Sequence, residues 1–448
     1  MKKILTIIAL FVFFVQLFPQ EKLSDEKRLE WFENAKLGIF IHWGVYSVEA
    51  LTSSWQLKNK QISWNDYMSH LKDFKAEKYN AEEWAELFKE SGARYVVLTS
   101  KHHDGFALWD TKLSMLNAKD SSGAKRDLLA PYAEALRKNG LKVGFYYSLI
   151  DWSHKDYKVG FSRPEKIMKE IYPQPEWQKN LTPHERFVKF LSGQLSELSR
   201  EFQPDLFWFD GGWEHTSQWW HAEEIRDSLL SWNPEVIIND RLRDYGDYET
   251  AEQGFPTLRP KGIWELCMTI NNHWGYAAND NNYKSDAQIV RSFVDVISNG
   301  GNLLLDIGPR ADGTIDERQA HALRVLGAWI KRNEESVYGS KAGLPSGHFY
   351  GPTMLSKDDK TVYLALSGIP RDYILIKGLQ TKIKDIRVLG SGEKLSWSRN
   401  GGAKWANIPG IVRIEIPDKF DELVTIIAVD LEEPVKLYRG GGKAIEAN

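Results

Sequence analysis

Cysteine is almost absent from this chain of 448 residues; Cys267 is the only one. No internal disulfide can form, so the fold must be stabilised by its apolar core. Charge imbalance is missing as well. A formal net charge of −3 gives no electrostatic case for nucleic acid or an anionic membrane surface as a partner. No G-x-G-x-x-G or P-loop turn occurs, which removes the usual phosphate cradles of dinucleotide and nucleotide binders. The H-x-H and H-E-x-x-H spacings of common metal sites are also lacking. There is no internal repeat.

Long apolar runs are confined to the N-terminus. Met1-Lys2-Lys3 precedes an apolar stretch from Ile4 to Phe18, and the charged segment Glu21-Lys22-Leu23-Ser24-Asp25-Glu26 follows. This pattern reads as a signal peptide over residues 1–20. The run is short for a membrane span. No small-x-small cleavage site stands out, so an uncleaved anchor stays open, and no Cys follows the run as in a lipoprotein. The expectation is an exported protein, periplasmic or extracellular.

From about residue 36 to 340, strand-like and helix-like segments alternate. Strands are expected at 37–43, 94–100, 142–148, 206–209, 235–240, 264–268 and 302–307, where apolar runs are short and continuous. Helices are expected at about 79–92, 127–140, 184–202, 286–299 and 317–332, where apolar residues recur at helical spacing. Repeated βα units of this size predict a (β/α)8-like TIM barrel over 21–342. After about residue 345 the helical period gives way to short strands split by Gly, Pro and Asp, such as Thr361–Leu366 and Leu423–Val429. That spacing predicts an antiparallel β-sandwich over 343–436. The Gly-rich end, 437–448, reads as a flexible tail.

Polar residues gather where the predicted strands finish: His42, then Lys101-His102-His103-Asp104, Asp151, Asp210 and Asp240-Arg241. In a barrel these converge on one face. The segment Leu206-Phe207-Trp208-Phe209-Asp210-Gly211-Gly212 ends a buried strand in a carboxylate and a turn. Asp210 either caps the next loop or performs chemistry. Glycoside hydrolysis would need a second carboxylate, and Glu249, Glu252 and Glu265 are the candidates downstream. Glu249 and Glu252 fall in a stretch read as a loop; Glu265 starts a strand, where a paired structural carboxylate is an equal alternative. Adjacent His102 and His103 would point to opposite sides of a strand end, so no shared metal ion is expected. Eighteen Trp either fill a large core or offer flat faces to sugar C–H groups.

With these residues in view, the chain resembles the α-L-fucosidases of glycoside hydrolase family 29. The matching segments run in order: Trp31 to Val48, Lys101 to Phe106, Trp208-Phe209-Asp210-Gly211, Trp264 to Thr269 with His273-Trp274-Gly275-Tyr276, and Gly301 to Gly313. The resemblance implies a barrel followed by a sandwich, no cofactor and no metal, and a fucosylated oligosaccharide or glycoconjugate as substrate. It implies Asp210 as the nucleophile of a retaining double displacement. Glu252, in Thr250-Ala251-Glu252, falls where many members carry the acid/base, with Glu265 in reserve. His42, His102 and His103 match hydroxyl-binding histidines; Tyr147, Trp208, Trp55, Arg241 and Trp274 match subsite positions. An apolar wall for the fucose methyl is expected.

One departure stands out. Many members carry a Ser-Glu-Trp-Tyr-like run whose Glu contacts the sugar, whereas this chain has Ser53-Ser54-Trp55-Gln56. A shifted loop would let Glu49 substitute. The other readings are a non-catalytic sugar-binding relative, for which this loss is the only support, and a metal-dependent barrel hydrolase.

Overall fold

The computed structural model describes residues 25–160, 163, 171–172 and 178–440. The segment read as a signal peptide lies outside them, as do residues 441–448 of the tail. Eight strands carry the first part of the chain: β1 Leu37–Ile41, β2 Tyr95–Lys101, β3 Lys142–Ser148, β4 Leu206–Asp210, β5 Ile237–Ile238, β6 Glu249–Glu252, β7 Trp264–Thr269 and β8 Asn302–Ile307. They form one parallel, barrel-like sheet in the order β5-β4-β3-β2-β1-β8-β7-β6. Its two end strands are linked by a parallel bridge between Asn239 and Tyr248.

Helices follow most of these strands, though none lies between β5 and β6 or between β6 and β7, and the ends of the helices are written in the sequence. Over Pro183–Phe202, Thr182 and Glu185 form a reciprocal capping box and Pro183 opens the first turn, satisfying N–H groups that lack intrahelical partners. Phe187, Leu191, Leu195, Leu198 and Phe202 recur at helical spacing and are buried. Ser285 and Gln288 cap Asp286–Ser298 in the same way.

Period-two alternation separates the two faces of the sheet. Phe207 and Phe209 of β4 join the core beneath the helices. Leu206 and Trp208 join a second cluster with Phe40, Tyr95, Val97, Tyr146, Cys267 and Leu304. The helix Asp25–Glu33 covers this second cluster near the start of the strands. Its Phe32 ring lies 5.3 Å from Tyr95 and 4.3 Å from Tyr248. Its buried Arg28 forks onto Asp247, with both contacts at 2.7 Å, and donates to the Val236 carbonyl at 2.8 Å. Each member keeps a second partner, Asp25 on Arg28 at 2.9 Å and Arg226 on Asp247 at 2.6 Å, so the pair is part of a small charge network.

The second region takes in β9 Ser340–Ala342, β10 Thr353–Ser356, β11 Thr361–Leu366, β12 Ile374–Ile376, β13 Ile383–Val388, β14 Trp397–Asn400, β15 Ile411–Ile414 and β16 Thr425–Leu431. They form two antiparallel sheets, β13-β16-β11-β10-β9 and β12-β15-β14. The larger sheet is buried on both sides. Val362, Leu364, Ile427 and Val429 pack toward the smaller sheet. Their neighbours Tyr363, Ala365, Ile426 and Ala428 pack into the core beneath the helices. Trp329 ties the two regions by donating to the Val424 carbonyl at 2.8 Å.

Three elements differ from the sequence expectation. The strand expected at 235–240 shrinks to Ile237–Ile238. The stretch around Glu252, read as a loop, is strand β6, paired in parallel with β7. Its polar Glu-Thr-Ala-Glu sequence is half-exposed and carries no apolar run to mark it. Leu437, placed in the tail by its sequence, forms a bridge with Leu379.

Candidate active site

A cavity of about 260 Å³ opens where the parallel strands end. That is the end opposite the covering helix, where parallel sheets of this kind place their chemistry. Alternation delivers the side chains. Tyr146 stands beside Trp208, and Ser148 beside Asp210, across β3 and β4. Phe40 and His42, two apart on and after β1, share the same side, and both line the cavity.

Asp210 lies at the base, 7% exposed. Its Oδ2 accepts from the Tyr146 hydroxyl at 2.8 Å and its Oδ1 from Arg241 Nη1 at 2.8 Å. His103 Nε2 is 3.5 Å from Oδ2. The other guanidinium nitrogen, Arg241 Nη2, donates to Glu252 Oε2. One guanidinium therefore joins a buried carboxylate to one at the mouth, whose side chain is 40% exposed. Burial opposes the charge on Arg241, but Asp210 and Glu252 outweigh it and raise its pKa. The turn after Asp210 makes this possible. Gly211 takes φ +84°, and a Cβ on Gly212 would lie 2.2 Å from the Arg241 carbonyl. Only glycine lets the two loops approach so closely.

Three histidines surround the base, and burial is the main reason each is neutral. His42 and His102 fall well below their ordinary value, each further lowered by a neighbouring imidazole. His103 falls to about 3 by burial, then by His42 and Arg241. A neutral imidazole offers one donor and one acceptor, which suits hydroxyl groups. Partners behind them fix the rings: His42 Nδ1 on Asp306 at 2.6 Å, His102 Nδ1 on Ser54 at 2.5 Å, His103 Nδ1 on Ser148 at 2.6 Å. The two adjacent histidines do not splay apart as expected. Strand β2 stops at Lys101, so alternation no longer holds, and their rings sit 4.4 Å apart. Among the described residues, no group of three or more His, Cys, Asp or Glu is arranged to hold a metal ion.

Aromatic rings complete the walls. Trp208 stacks on Tyr146 at 5.7 Å, with Phe40 4.9 Å away. Trp55 and Trp274 also line the cavity. Arg241 lies 4.6 Å over the Trp208 ring.

Three expected site residues do not line the cavity: His103 is fully buried behind it, beside Asp210, and Tyr147 and Glu265 stand elsewhere. Tyr147 points to the helix side of β3, where its hydroxyl donates to Gln194 at 2.8 Å and receives Lys101 Nζ at 3.0 Å. Tyr146 takes the place in the cavity instead. Alternation from Trp208 and Asp210 is the signal that separates the two tyrosines, and it needs the strand register. Glu265 is fully buried beneath Trp208 and does not line the cavity. Its Oε1 accepts from Trp208 Nε1 at 2.8 Å, and its Oε2 from the Tyr95 hydroxyl. Glu249 starts β6, away from the strand ends. Glu49 is 3.5 Å from His70 and outside the cavity, so it does not replace the missing carboxylate. Sequence reasoning also passed over Phe40, two residues before His42, and Trp213 at the rim.

Burial pushes the Glu265 carboxyl up from 4.5 to about 7, against the opposing hydrogen bonds from Tyr95 and Trp208. Between those pH values the folded state holds a proton that the unfolded chain has lost. This group's contribution to stability therefore falls as pH rises through that window. Glu265→Gln does not titrate. Its stability relative to wild type should rise from pH 4.5 to 7 by up to about 3 kcal/mol, as denaturant unfolding at each pH would measure. A difference independent of pH would contradict the buried proton.

Comparison with known proteins agrees with this geometry. The α-L-fucosidase family model matches residues 17–335. Tissue α-L-fucosidase of Bos taurus is 31% identical over 437 residues, covering 89% of this chain and 88% of that protein. Plasma α-L-fucosidase of Homo sapiens is 32% identical over 418 residues, covering 84% and 85%. Among solved structures, α-L-fucosidase isoenzyme 1 from Paenibacillus thiaminolyticus superposes with a TM-score of 0.81 at 32% identity, covering 91% of this chain and 100% of that one. A trapped covalent intermediate of an α-L-fucosidase from Bacteroides thetaiotaomicron, formed with 2-fluoro-fucosyl fluoride, gives 0.78 at 25% identity, covering 92% and 98%. With the family model spanning most of the chain and relatives above 30% identity along most of both lengths, this chain belongs to the α-L-fucosidase family, glycoside hydrolase family 29.

Proposed function

We propose that this protein is an exo-acting, retaining α-L-fucosidase that removes terminal α-L-fucose from glycans, with Asp210 as nucleophile and Glu252 as acid/base. The observation that carries the assignment is the single Arg241 guanidinium bonded to both carboxylates inside one cavity. Retention, in which one carboxylate attacks the anomeric carbon directly, is supported by the trapped covalent intermediate of a similar α-L-fucosidase. The cavity, about 260 Å³, is smaller than the roughly 300–1,000 Å³ pockets of drug-sized ligands. That suits one terminal sugar.

In the first step Asp210 attacks the anomeric carbon, and the glycosidic oxygen leaves with a proton from Glu252. In the second, Glu252 takes a proton from water, which displaces Asp210 and restores the starting configuration. Tyr146 and Arg241 hold the nucleophile's orientation. His42 and His102 meet the sugar hydroxyls, and His103 sits behind Asp210; Trp55 and Trp274 bound the ring, and Phe40 and Trp208 form the apolar wall for the methyl. Ser54 supports His102 where relatives place a carboxylate. Similarity to α-L-fucosidases along most of the chain weighs against a binding protein without activity.

The parallel sheet is read as a closed (β/α)8 barrel. Support comes from Asp247 N donating to Ile238 O at 2.7 Å and Asp240 N to Tyr248 O at 3.0 Å, across the two end strands. Export, periplasmic or extracellular, rests on the N-terminal sequence. Among the described residues no helix is long and apolar enough to cross a membrane. Proton NMR of an aryl α-L-fucoside digest tests the function. The α anomer of fucose should appear first; first release of the β anomer would exclude retention, and no release from any fucoside would exclude the activity.

A further inference from the structure

The cavity that accepts one sugar leaves open what holds the rest of the glycan. Trp213 is half-exposed, with 49% of its surface accessible, yet it lines the same cavity. The residues on either side of it are anchored. The Gly212 carbonyl receives Trp220 Nε1 at 2.9 Å, and the Tyr157 hydroxyl donates to Glu214. Gly212 presses the turn against the Arg241 loop, and Gly211 presses it against Ile150. An exposed indole on a fixed mount loses little freedom when a ligand covers it. Among the described residues, no hydrogen-bond acceptor takes its indole N–H.

Its position relative to the carboxylates gives the direction. The Arg241 guanidinium lies 4.6 Å from the Trp208 ring centre and 5.8 Å from that of Trp213. Both are within cation–π range. Trp208 is buried at 2% exposure and belongs to the sugar pocket; Trp213 lies out at the rim. The same guanidinium reaches Glu252, the group proposed to protonate the leaving oxygen. The sugar that departs must start at Glu252 and emerge from the cavity, and Trp213 is within one side chain of that point.

We infer that Trp213 is the platform of a leaving-group subsite, stacking on the C–H face of the pyranose to which fucose is attached. This rests on the fucosidase reading, and the test separates the two. α-L-Fucosyl fluoride carries no second sugar, whereas a fucosyl disaccharide does. Wild type, Trp213→Ala and Trp213→Phe are compared on the fluoride and on the best-cleaved member of a panel of α1,2, α1,3, α1,4 and α1,6 fucosyl disaccharides.

The expected result for Trp213→Ala is a loss of kcat/KM on the disaccharide about tenfold greater than on the fluoride, the scale of one aromatic contact. Trp213→Phe, which keeps a flat ring, should recover most of it. Equal losses on both substrates would make Trp213 a support for Arg241 and overturn the subsite. An unimpaired Trp213→Ala on the disaccharide would overturn it as well, as would a wild type that cleaves the fluoride but no disaccharide. A wild type inert on both would overturn the fucosidase reading and this inference with it.

Discussion

Asp210→Asn should cut kcat on any α-L-fucoside by roughly 10³-fold or more, the scale of losing a catalytic nucleophile. The exchange is nearly isosteric, and the residue's neighbours Tyr146 and Arg241 can still hydrogen-bond the amide. A folding defect is therefore not the expected cause. A circular dichroism melt close to wild type would confirm that the loss is chemical. Asp210→Gly extends the test. The small residue leaves room for azide, which would attack the anomeric carbon from the nucleophile's side in a single displacement. The product should be β-L-fucosyl azide, with configuration inverted. Near-normal turnover by the purified asparagine variant would remove Asp210 from the mechanism.

Glu252→Ala should split substrates by their need for a proton. Loss of a general acid costs about 10²–10⁴-fold, and the full cost falls on disaccharides, whose leaving alcohols are weak. α-L-Fucosyl fluoride needs no proton to depart, so its first step should survive. The second step then lacks its base, and the glycosyl-enzyme should accumulate as a burst of fluoride. Azide would release it as α-L-fucosyl azide, with configuration retained, because two displacements have occurred. The same pattern in Glu265→Ala instead would reassign the acid/base. Its buried place under Trp208 predicts a loss shared by all substrates and no azide rescue.

The order of the parallel sheet was legible because its central strands are buried on both faces. Continuous runs such as Leu303-Leu304-Leu305 and Tyr95-Val96-Val97-Leu98 are fully buried and leave little room for another assignment. Strand β6 escaped because it has no such run, being polar and half-exposed, whereas β5 was found within 235–240 but spans only Ile237–Ile238. For the site, strand-end position and resemblance together named Asp210, Glu252, Arg241, His42 and His102, which line one cavity, and His103, which sits behind it beside Asp210. Side-chain direction was harder. Tyr146 and Tyr147 are identical neighbours, and only register against Trp208 tells which enters. Partners distant in sequence were out of reach. Nothing local to Glu265 shows that Tyr95, 170 residues away, and Trp208 take its two oxygens. The replaced carboxylate at Ser54 was visible as a gap, but the hydroxyl's seat on His102 required the fold.

The central claim is a covalent bond between fucose and Asp210. Incubation with 2-deoxy-2-fluoro-α-L-fucosyl fluoride, followed by peptide mass spectrometry, tests it directly. The account predicts one fluorofucosyl group per chain, attached to the peptide containing Asp210 and localised to that side chain by fragmentation. A label on Glu252 or Glu265, or an active protein that never acquires one, would contradict it.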